Sequence, residues 1–130
     1  ELTAGVQPEE ICRNRLYFAQ AAEAAGAIPV LMTPPPLPGI SRSMIRKTAL
    51  LLKELGMKLE VPVIDVYSAT IATEDKMGEF EDFFQSSDGS VALRTPDNKG
   101  RMWLCRLVAK TIRQHGILAK ENAVRRERID

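Results

Sequence analysis

Apolar positions in this chain follow two rhythms, one spaced by threes and fours and one in short unbroken runs. Between residues 8 and 25 the set Ile11, Phe18, Ala22 and Ala25 shares one helical face, with Cys12 and Ala19 on its flank. Pro8 at the first helical position and Glu9 and Glu10 in the first turn suit a helix start, where the backbone dipole is positive, and Gly26 ends the element. Arg15 falls at the edge of this stripe, where its stem can lie on apolar surface while the guanidinium pairs. The buried alanines predict a helix that covers a sheet.

The run Ala27-Ile28-Pro29-Val30-Leu31-Met32 lacks polar alternation, which predicts a strand over 27–32 buried on both faces of a parallel sheet. Pro34, Pro35, Pro36 and Pro38 then stop it, because proline supplies no amide hydrogen and fixes φ. Thr33 is thereby placed at the carboxyl end of a strand, the end at which open α/β sheets bind ligands. A second helix follows, capped by Ser41 or Ser43, with Met44, Ile45, Thr48, Leu51, Leu52 and Leu55 inward. Arg42, Arg46, Lys47, Lys53 and Glu54 form its solvated side, and Gly56 reads as a left-handed cap. Residues 61–66 predict a second buried parallel strand, interrupted by Asp65, which either faces a helix amino terminus or sits near the strand's active end. Helix, glycine and apolar strand thus occur twice, the pattern of right-handed parallel crossovers.

Beyond Ser68 the pattern weakens. Ile71, Met77, Phe80, Phe83 and Phe84 predict a short helix and an acidic loop over 79–82, and residues 86–99 a long polar loop. A final helix is expected over 99–114, with Trp103, Leu104, Leu107, Val108, Thr111 and Ile112 buried and Gly116 closing it. The single histidine, His115, sits where a helix carboxyl end attracts a cation.

Composition narrows the classes. The 130 residues allow one domain, placed at 1–116, with 117–130 a charged tail, helical or frayed. A net charge of +1 offers no steering toward nucleic acid or an anionic membrane, and no apolar run is long enough to span a bilayer. Cys12 and Cys105 lie in helical patterns without metal-ligand spacing, so both are expected as buried free thiols, and neither a metal nor a cofactor is implied.

Three stretches taken in order carry a resemblance. Ala25-Gly26-Ala27-Ile28-Pro29-Val30-Leu31-Met32-Thr33-Pro34-Pro35-Pro36, then Val61-Pro62-Val63-Ile64-Asp65-Val66-Tyr67, then Leu93-Arg94-Thr95-Pro96-Asp97-Asn98 before Lys99-Gly100 and a helix, resemble the carboxyl-terminal half of SGNH (GDSL-like) hydrolases. The resemblance covers residues 8–116. It implies a three-layer α/β/α fold with a flavodoxin-like parallel sheet, and cleavage of a small-molecule or carbohydrate ester by an esterase or O-deacetylase.

In that family a serine follows the first strand, glycine and asparagine help hold the oxyanion, and an Asp-x-x-His motif before the last helix supplies the base and its orienting carboxylate. Here the first three blocks have no counterpart, which implies that the remainder of the domain is this chain's partner. Asp97 falls where the triad carboxylate belongs, but Asp97-Asn98 runs straight into Lys99-Gly100 without the histidine. The second candidate is Asp88, and Val91 then stands at the histidine position. Thr33, Pro34 and Pro35 would line the cleft as shape, and His115 would point away from it. Two readings follow: a part of a hydrolase domain, with residues missing ahead of Glu1 and after Asn98, or a noncatalytic α/β interaction module with a degenerate site.

Overall fold

A computed structural model of the chain describes residues 2–35, 40–74 and 99–116. It is an α/β arrangement, mostly helical, around a two-stranded parallel sheet. A short 3-10 turn at Leu2–Ala4 leads into α1, Pro8–Ala24, followed by β1, Leu31–Met32, α2, Arg42–Leu59, and β2, Val63–Ile64. Helix α3, Val66–Glu74, starts almost directly from β2, and α4 spans Lys99–His115. The expected acidic loop, the three later phenylalanines, Asp88, Asp97, Pro36, Pro38 and the tail 117–130 lie outside the described residues.

The strands pair parallel, with Leu31 opposite Val63 and Met32 opposite Ile64, as two βαβ-type crossovers predict. Both are shorter than the apolar runs suggest. Pro29 and Pro62 bear no amide hydrogen, and Asp65 turns the chain into α3, so ladder pairing is confined to the residues between. Expected burial on both faces also fails for β1: Leu31 is buried, but Val30 is 37% and Met32 44% exposed. Strand alternation explains the split, since Leu31 and Thr33 point to one face and Val30 and Met32 to the other.

Helix α2 packs on both strands and α1 packs chiefly on α2. Ser41 is the cap of α2, its hydroxyl accepting from the Met44 amide at 3.2 Å. The predicted stripe holds for Ile45, Thr48, Leu52 and Leu55, while Met44 and Leu51 are half-buried and Ala49 is a further buried position. Gly56 is not the cap. The helix continues to Leu59, and Glu60 takes the left-handed conformation at φ 55°. Gly56 serves a different purpose: a Cβ there would overlap Val63 Cγ2, so its bare backbone lets α2 lie close on β2.

On α1 the buried residues are Pro8, Ile11 and Ala19, whereas Phe18 is 61% exposed and Ala25 is exposed. The helix is therefore rolled away from the predicted stripe, toward α2. The ion pair of Lys47 with Glu9 lies across the same contact. Leu2, Ile11 and Ile45 form a core cluster against which Val6, Ile40, Met44 and Tyr67 pack. Helix α4 packs on β2. Of its expected buried side, Thr111 is buried and Trp103, Leu104, Leu107, Val108 and Ile112 are half-buried. Neither thiol is deeply buried: Cys12 is half-buried with Sγ 3.7 Å from the Leu51 carbonyl oxygen, and Cys105 is exposed.

Candidate functional site

The parallel register brings the carboxyl ends of both strands side by side, and Thr33 and Asp65 meet there. Thr33 is 1% exposed, and its hydroxyl donates to Asp65 Oδ1 at 3.0 Å while accepting from the Tyr67 amide at 2.9 Å. Asp65 Oδ1 also accepts from the Ser68 amide at 3.1 Å, so the carboxylate caps α3. Its other oxygen, Oδ2, is 2.8 Å from Lys53 Nζ on α2. One carboxylate thus ties β1, α2 and α3 to the end of β2.

Of the two alternatives for Asp65 the structure shows the helix cap, at the carboxyl end of β2. Burial pushes the Asp65 carboxyl up, but the Lys53 ammonium, the Ser68 bonds and the Thr33 hydroxyl outweigh it and hold the group below its ordinary value. Lys53 keeps 43% of its side chain exposed, and what sequence reasoning missed is its pairing with Asp65. The signal was present in Asp65 itself, because a charge inside an apolar run needs a partner.

Two cavities flank this junction. The first, of about 380 Å3, lies between α1, α2 and β1; its wall includes Thr33, Pro34 and Pro35, with Ile11 and Arg15 from α1 and Leu52 from α2. The Thr33 hydroxyl is engaged inside the fold, with Asp65 and Tyr67. The second cavity, of about 540 Å3, runs along the other side of β2 and is lined by Lys53, Gly56, Met57, Val63, Asp65 and His115 among others.

Neither family models, nor curated proteins, nor solved structures contain a match to this chain. His115 lines the second cavity and not the first, so it is separated from the Thr33 wall yet shares a cavity with Asp65 and Lys53. Among the described residues no group of three or more His, Cys, Asp or Glu side chains is placed to hold a metal ion. No helix among them is long and apolar enough to cross a membrane. Among the described residues, Thr33, Asp65 and Lys53 form one bonded junction between the two cavities.

Proposed function

We propose that this chain is the carboxyl-terminal part of an SGNH-like hydrolase domain, three-layered with a flavodoxin-like sheet, whose whole form cleaves acyl esters of small molecules or carbohydrates. The observation that carries the reading is the parallel β1–α2–β2 unit whose strand carboxyl ends are fastened by Thr33 and Asp65 beside a groove walled by Thr33, Pro34 and Pro35. Ligands of open α/β sheets bind at that end. Asp97 is assigned as the triad carboxylate, with Asp88 second, and the serine and histidine are assigned to the rest of the domain. The ester substrate is the expected partner, and no cofactor is required for acyl transfer of this kind.

The test is hydrolysis of an aryl acetate by the intact protein as the cell makes it. Replacing a triad carboxylate leaves the imidazole wrongly oriented, so Asp97→Asn is expected to lower kcat by about 10⁴-fold. Asp88→Asn should leave it within a few-fold. The reverse order would move the assignment to Asp88, and activity indifferent to both would remove it. A second reading, a noncatalytic interaction module, is favoured by the exposed apolar side chains Phe18, Val30 and Met32. Absence of hydrolysis and of labelling by a fluorophosphonate probe in the intact protein would select it.

A further inference from the structure

The 540 Å3 cavity beside β2 has a graded lining. Helix α2 runs antiparallel to β2 along it, with Lys53 at Asp65, Gly56 at Val63, and the Gly56 carbonyl accepting from the Val61 amide at 3.0 Å. Val61, Val63 and Asp65 are alternate residues along β2 and its flanks, so they share a face. The charged pair therefore stands at the carboxyl end of β2, an apolar wall of Val63, Val61 and Met57 follows, and Glu60 closes the far end. From Lys53 to Glu60 the helix rises by about 10 Å. Helix α4 brings His115 to the same lining. Asp65 is fully engaged, Oδ1 accepting from Thr33 and Ser68 and Oδ2 facing Lys53. Lys53 is not: an ammonium has three N–H donors, and the pair with Asp65 engages one. His115 offers a ring N–H in either protonation state. Met57, 80% exposed, presents an adaptable apolar side chain at the rim.

We infer that this cavity binds a small organic monocarboxylate with an apolar body, its carboxylate held by Lys53 and His115 and its chain lying along Val63, Val61 and Met57. Three features select that ligand. The volume falls in the range of small-molecule sites, and apolar walls with a few convergent polar groups are their usual lining. A carboxylate accepting from an ammonium makes a charge-assisted bond, the strong kind, and Lys53 has donors left for it. Glu60 sets the specificity. A second carboxylate carried to the far end of the cavity meets a like charge there, so a monocarboxylate is preferred over a dicarboxylate. The bound acid would join α2 to α4, two helices that both pack on β2, and so fasten α4 in its seat. The site is separate from the groove walled by Thr33, Pro34 and Pro35, and the inference does not depend on the acyl ester reading.

The test is calorimetric titration of the intact protein with hexanoate, the His115 ring resonances being followed by NMR and assigned by their loss in His115→Gln. Saturable binding with a Kd below about 10 mM is expected, and the His115 resonances should shift with the same midpoint. Hexanol, which lacks the charge, and inorganic phosphate, which lacks the apolar body, should each bind at least about tenfold more weakly. Lys53→Met should weaken hexanoate by a similar factor, but it also unpairs Asp65. Glu60→Gln avoids that difficulty, since Glu60 is exposed and caps α2 through its backbone. It should leave hexanoate binding within about twofold and tighten binding of adipate, the six-carbon dicarboxylate, by at least about fivefold. Absence of saturable hexanoate binding, His115 resonances that do not move, hexanol or phosphate binding as tightly as hexanoate, or adipate binding indifferent to Glu60→Gln would each overturn the inference. Aryl acetate hydrolysis is read separately: a protein without it that binds hexanoate in this way loses the hydrolase reading and keeps the carboxylate site.

Discussion

Thr33 shows how a small polar residue can organise a strand end. Its hydroxyl both donates to Asp65 and accepts from Tyr67, and it is nearly inaccessible. Thr33→Val keeps the shape and strands both partners, so it should cost roughly 1–3 kcal/mol in urea unfolding. Thr33→Ser keeps the bonds and loses one methyl group, roughly 1 kcal/mol. Equal losses would show that the hydroxyl is not the stabilising group. Asp65 adds a pH dependence. Its carboxyl is held below the ordinary value of 3.8 in the fold. The stabilisation is therefore fully present above that value and is lost as pH falls through the lower folded pKa. Asp65→Asn keeps a competent cap but loses the attraction to Lys53, so the variant should be less stable at neutral pH and should lack this acid-side slope. A wild-type slope retained in the variant would assign the effect to other carboxylates.

At the level of elements, the end of α2 separates two roles that the sequence pattern merges. A glycine near a helix end reads as a left-handed cap, but the left-handed residue is Glu60 and the glycine is needed four positions earlier for contact with Val63. Gly56→Ala improves helix propensity and still should destabilise by about 1–3 kcal/mol, since the added methyl meets a β-branched side chain with little freedom to move. Glu60→Gly should stabilise by up to about 1 kcal/mol, because glycine takes positive φ without a steric cost. Thermal unfolding of the two variants checks the pair; a stabilised Gly56→Ala would mean that α2 does not approach β2 as described. Helix α1 teaches a related point. Its periodicity is right as a pattern, yet α2 holds it so that Ala19 is buried and Phe18 is not.

For the molecule as a whole, a hydrolase needs groups that the described residues do not assemble. His115 is exposed and lines a different cavity from Thr33. General-base activation requires an imidazole within about 3 Å of the hydroxyl it activates. The purified 130-residue chain is accordingly expected to give no aryl acetate hydrolysis above background. Hydrolysis abolished by His115→Ala would overturn this and place the chemistry in the second cavity. Hydrolysis untouched by that change would point to another nucleophile within the chain.

The order of residues by itself determined the local events: where α1 and α2 begin, that residues after Met32 leave the sheet, and that two apolar runs joined by a helix pair in parallel. These follow from interactions between near neighbours, such as a serine oxygen meeting an amide three residues on, or proline lacking an amide hydrogen. Asp65 was legible as an anomaly and as a helix cap, though two of its partners were not, because Thr33 and Lys53 reach it only once the strands are in register. Tertiary structure alone decided which side of α1 is buried, why Gly56 is there, and that among the described residues β1 pairs along one edge and leaves Val30 and Met32 exposed. Such choices depend on which surfaces come into contact. A helical stripe says that a face is apolar, and only the neighbour packed against it decides whether that face is covered.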